Sequence, residues 1–276
     1  VESSVDGDNI LYKLLSGLIE QGGVGSEWLI RHSIELCSVW WDPKVYESTP
    51  VLIPWAVRDP DSRGNQGKGL SDQWGSPNQE GYFRDDNSLV KGLVKSLPIV
   101  GPKSSYTNGK RLGTGWVAAH IWRTNESSVL ASRDPRLYTF VPNLVWLPRQ
   151  IAKLSDVEGS PVQQALKAIS WSLYRNTSLV PGKHRIAERS WQYLPDPEVK
   201  TDIDVANLSF FGSPDKTVKM RLQRTYEVLD ALKKLEQNNP LNTKVVSSRY
   251  TAGLEKVSSA MRGELARELA EHLQES

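Results

Sequence analysis

The sequence predicts an α+β fold, with helical N-terminal and C-terminal parts around a loop-rich mixed centre. Three observations predict it. Apolar residues recur at helical spacing near both ends. Between Trp41 and Arg111, prolines and glycines follow one another too closely for long helices. Short apolar runs around Val117 and Val145 have the length and composition of buried strands.

Taken in order, Asn9 to Gln21 predicts a helix on Ile10, Leu11, Leu14, Leu15 and Leu18, stopped by Gly22-Gly23. Ser26 caps a second helix from Glu27 to about Trp40. The following segment to Arg111 suits short strands and long surface loops. Its polar run Ser71 to Asn78 is either turn chemistry or a surface that reads polar edges. Leu112 to Asp156 reads as strand, loop, strand, helix. Ser160-Pro161 opens a helix to about Arg175, because proline suits the first helical position and serine the cap. Asn176 to Gly212 reads as a loop rich in Arg, Trp and Pro. The longest helix runs from Asp215 to about Gln237, and a last one from about Gly253 to Leu273. The divisions are 1–111, 112–212 and 213–276, within three parts or one compact domain.

The composition is that of a folded chain of 276 residues, with 38% hydrophobic and 24% charged residues, which excludes a disordered polyelectrolyte. No apolar run reaches the ~18 residues that a membrane helix needs. Val1 to Asn9 carries no charged-then-apolar leader, so the expected location is the cytoplasm. A single cysteine, Cys37, excludes an intramolecular disulfide and a paired-cysteine zinc knuckle, and on a helix it reads as a small buried residue. The net charge of +2 is too small to predict a nucleic-acid partner without local clustering. Ten tryptophans are many for this length. Most are expected in the core, with base stacking as the alternative use.

The sharpest chemical signal is His120 at the end of the run Gly115-Trp-Val-Ala-Ala-His-Ile-Trp-Arg123, followed by Asn143 in Phe140-Val-Pro-Asn-Leu-Val-Trp-Leu-Pro148. With Asp134 between them and Asp156 after them, this stretch resembles the HNH, or ββα-metal, endonuclease family over about residues 112–156. The resemblance implies two strands over a helix at about Arg149 to Leu154. It makes His120 the general base and Asn143 a metal ligand or a brace of the loop, with Asp134 as a helper at the metal. It implies Mg²⁺ or another divalent cation, and a DNA endonuclease of restriction or defence type acting on duplex DNA, either as a monomer or as a homodimer. The chemistry suits these residue types. Imidazole can deprotonate water near neutral pH, and a cation can neutralise the charge that develops on phosphate. Arg123, Arg133, Arg136, Arg149 and His184 are the candidate phosphate contacts. Two positions depart from the family pattern. Ala152 stands where a third polar residue is usual, and Ala119 precedes the histidine.

Two other readings compete. Glu198-Val199-Lys200 is half of a carboxylate-and-lysine nuclease pattern, with Glu188 or Asp196 as the first half, although Pro195 and Pro197 argue against a strand there. From another class, a degenerate ββα unit serves as a nucleic-acid-binding or protein-interaction module without catalysis.

Overall fold

Apolar runs too short for helices build the central sheet. The computed structural model describes residues 4–11, 13–14, 26–59, 62, 77–127, 129–200, 203–238 and 253–274. Residues 7–11 are helical, while the rest of the first predicted helix from residue 15, its Gly22-Gly23 stop, and residues 71–76 of the polar run lie outside the described residues. Helix α1 (Ser26–Cys37) ends three residues before Trp40, where the sequence places its end, because Val39 and Trp40 enter the sheet as β2. Ser38 makes the break. Its hydroxyl donates to the Ile34 carbonyl at 2.6 Å and accepts from the Trp40 indole at 2.7 Å. Cys37 is buried at this end, and burial pushes its thiol up to about 12.

Five strands form one mixed sheet in the order β5 (Ile99–Val100), β9 (Ser209–Phe211), β2 (Val39–Trp40), β8 (Leu144–Pro148) and β7 (Trp116–His120). β2 and β9 are parallel, and the other neighbours are antiparallel. The sheet draws strands from both sides of residue 111. A second pair, β3 (Ala56–Arg58) and β4 (Phe83–Asp85), is parallel, with Arg58 opposite Asp85. A third pair joins β1 (Ser4–Val5) to β6 (Arg111–Leu112).

The core is aromatic. Trp41, Trp146 and Phe211 meet at ring separations of 5.0–5.5 Å, and a second group joins Trp122, Phe140 and Trp171 around Trp191. Such pairs contribute about 0.5–1.5 kcal/mol each beyond their buried area. Trp40, Trp41, Trp55, Trp116, Trp122, Trp146 and Trp191 are all buried, so packing is what most of the tryptophans do.

Helix α2 (Pro43–Ser48) follows β2, and α3 (Ser88–Leu93) follows β4. The turn α4 (Pro135–Tyr138) precedes β8, and α5 (Arg149–Ser155) packs on β7 and β8. α6 (Pro161–Tyr174) begins as expected, with Ser160 accepting from the Gln163 amide. The stretch read as loop from Asn176 holds α7 (His184–Trp191) and β9. Its polar surface hides the inward face of Ile186, Ala187, Ser190 and Trp191. α8 (Pro214–Glu236) packs along α9 (Ser259–Leu273). α9 starts later than Gly253, which adopts a φ of +99° at a short turn, and Ser258 caps the helix instead. No helix among the described residues is long and apolar enough to cross a membrane.

Candidate functional site

β7 is an edge strand, and a cleft of about 410 Å³ opens along its outer side. The cleft runs from the turn before α3 to the exposed face of α5. Arg58, Lys91, Arg123, Arg149 and Lys153 line it, against the carboxylates of Asp86 and Asp156, with His120 in its wall. Two antiparallel strands and a following helix therefore frame His120.

His120 is half-buried at the end of β7, opposite Leu144. Its ring lies over the Tyr138 ring, with centroids 5.6 Å apart and planes 20° from parallel. Nε2 lies 3.0 Å from the Tyr138 main-chain oxygen. A carbonyl only accepts, so Nε2 carries the proton and Nδ1 is the basic nitrogen of the neutral ring. Burial, and secondly the positive charge of Arg58, lower its pKa to about 4, so the ring is neutral at physiological pH.

Tyr138 is fixed from beneath. Its hydroxyl donates to the fully buried Asp85 carboxylate, which also accepts from the Ser88 hydroxyl at 3.1 Å and the Leu89 amide. Burial raises the pKa of Asp85, and burial together with Asp85 raises that of Tyr138. A line of interactions thus runs from Asp85 through Tyr138 to the histidine ring.

Asn143 has another role. It is fully buried; its Oδ1 accepts from the Trp122 amide at 2.8 Å and its Nδ2 donates to the Leu137 carbonyl at 3.0 Å. With both ends committed to backbone, it braces the loops on either side of the strand pair and does not line the cleft. Asp134 is equally occupied. It caps α4 through the Arg136 amide and holds the Arg136 guanidinium at 2.6 and 2.9 Å. Neither residue is placed to hold a metal ion in the cleft.

Of the candidate phosphate contacts, the structure brings Arg123 and Arg149 to the cleft. Arg123 donates to the main-chain oxygen of Asp156 across its rim. Arg133 is exposed on a turn whose Ser132 lines the cleft, but its own side chain does not, and Arg136 stacks over Tyr193 while paired to Asp134. His184 is the first residue of α7, next to Lys183, whose ammonium donates to carbonyls at the end of α9. Glu198 to Lys200 forms an exposed bend rather than a strand, and Glu188 is paired with Arg175. Ala152 lines the cleft, so the position where a third polar residue is usual supplies only a methyl group.

Sequence reasoning missed Arg58, Asp86, Asn87, Lys91 and Lys153. Asn87 is the most specific of them. It adopts a φ of +79°, which lets its Nδ2 donate to the Ala118 carbonyl on the open edge of β7 at 3.1 Å. Its Oδ1 is buried in the cleft wall without a hydrogen-bond partner among the described residues, as is Arg58 Nε. The run Asp85-Asp86-Asn87 was a visible signal of a helix start, but not of where that start would lie. Among the described residues, no three His, Cys, Asp or Glu side chains cluster as a metal cage. Compared with known proteins, the chain matches no family profile, no curated protein and no solved structure.

Proposed function

We propose that the cleft binds the phosphodiester backbone of duplex DNA and hydrolyses it, with His120 as general base. One observation carries this reading: a neutral imidazole stands in a cleft where five cationic side chains face two carboxylates. Arg149 and Lys153 are exposed and have no ion-pair partner among the described residues, so both can meet phosphate oxygens. His120 Nδ1 takes a proton from water as the water oxygen attacks phosphorus and the P–O bond to the leaving 3′ oxygen breaks. A base with a pKa of about 4 is weak, and an entering phosphate would offset the charge of Arg58, the lesser of the two causes that lower it. Mg²⁺ or another divalent cation would be held by Asp86, the orphan Oδ1 of Asn87 and the substrate's own oxygens, and would supply charge neutralisation.

A second reading is favoured by Ala152. With a methyl group in place of a third polar residue, the same cleft grips phosphate without catalysis. Plasmid nicking, run with Mg²⁺, with Mn²⁺ and with EDTA, separates the two. Cation-dependent nicking that disappears in His120→Ala supports the enzyme. Salt-sensitive DNA binding with no nicking supports the binding module, and absence of both removes the nucleic-acid reading.

A further inference from the structure

On the opposite side of α3 from the cleft, a second hollow of about 290 Å³ lies between α3 and α8. Ile53, Trp55, Leu93 and Met220 supply apolar walls, and Arg221 and Arg224 supply charge. The two arginines differ. Arg224 is exposed and paired with Glu227 at 2.7 Å. Arg221 is half-buried, and its guanidinium makes no hydrogen bond or ion pair with any described residue. Burial and the like charge of Arg224 lower its pKa to about 10, and no carboxylate among the described residues offsets them. A partly desolvated cation without a counter-charge is costly to the fold and is normally matched by an anion.

We propose that this hollow is a binding site for a small organic carboxylate, whose apolar body seats against Trp55, Ile53, Leu93 and Met220 while its carboxylate pairs with Arg221. One uncompensated guanidinium matches one negative charge, and its planar fork matches a carboxylate. The volume lies at the small end for ligand cavities, which suits a medium-length alkyl chain or a single aryl ring. The site is separate from the cleft and does not depend on the nuclease reading.

The test is calorimetric titration of the full chain with decanoate, 3-phenylpropionate and the neutral 1-decanol, on wild type and Arg221→Gln. At least one carboxylate should bind with one-to-one stoichiometry, ~10-fold or more tighter than 1-decanol. Arg221→Gln should abolish that preference and, by removing an uncompensated charge, raise the melting temperature of the ligand-free protein. Equal binding of decanoate and 1-decanol, carboxylate binding that survives Arg221→Gln, or no binding by either carboxylate would overturn the proposal. None of these outcomes bears on DNA binding or cleavage, which use other side chains.

Discussion

His120 and Asn143 are fastened to consecutive carbonyls at the end of α4, His120 through Nε2 to Tyr138 and Asn143 through Nδ2 to Leu137. The same short segment therefore sets the histidine ring and locks the start of β8. The two side chains share a support rather than a ligand, which separates their expected mutant behaviour.

Asn143→Ala should act on stability. It leaves the Trp122 amide and the Leu137 carbonyl without their side-chain partner in a fully buried setting, at a cost of about 2–4 kcal/mol. Urea unfolding measures this directly. Any accompanying loss of nicking should not be reversed by high Mg²⁺, whereas recovery at high Mg²⁺ with unchanged stability would make Asn143 a metal ligand after all.

His120→Ala should act on rate. Removing a general base typically costs about 10² to 10⁴ in turnover. DNA affinity should stay close to that of wild type, since the cations of the cleft remain. Nicking at an unchanged rate would place the base elsewhere.

Arg58→Gln should raise the pKa of His120 above about 4, because it removes the positive charge that disfavours the imidazolium. An NMR titration of the His120 ring protons reads the shift. A value that stays put would mean that burial alone sets it.

Arg149→Ala and Lys153→Ala should weaken DNA binding across sequences. Each substitution that removes one cation from a phosphate should reduce the slope of log affinity against log salt by about 0.9. Arg133→Ala, whose exposed side chain does not line the cleft, should leave the slope unchanged. The reverse ranking would move the nucleic-acid surface off the cleft.

Acid should destabilise the fold through histidines whose folded pKa lies below the ordinary 6.5. For His120 the folded value is about 4, and for His272, half-buried near Lys183 and Arg189, about 3. As the pH falls from 6.5 toward 4, the unfolded chain takes up a proton at His120 before the folded chain does, and native stability is lost over that window. The unfolding free energy of wild type minus that of His120→Gln should therefore fall as the pH drops, by at most about 1.4 kcal/mol per unit. A difference independent of pH would show that the ring is not held neutral.

The stretch from Leu112 to Asp156 was legible because its strands, turn and helix are contiguous in the chain, so local pattern sufficed. The helices at Pro161, Pro214 and Ser259 were legible from caps and apolar spacing, within a few residues at most ends. The cleft was only half legible. His120, Arg123 and Arg149 lie in that contiguous stretch, but Arg58 and Asn87 reach it through the parallel pairing of β3 with β4, which no local pattern encodes. Asn143 shows the other limit. Its residue type fitted a metal ligand, and only the tertiary setting, with two backbone partners in the core, makes it a brace.

The side-chain amide that caps the Ala118 carbonyl also guards the molecule against its own copies. An exposed edge strand with unpaired carbonyls is a template on which a strand from another chain can grow. At β7 that route is obstructed by Asn87 and by the surrounding positive charge, while β5 at the far edge is only two residues long. The arginines and lysines gathered beside His120 thus add electrostatic repulsion between copies at this edge, so stripping them away together should trade a charged groove for a surface more prone to aggregate.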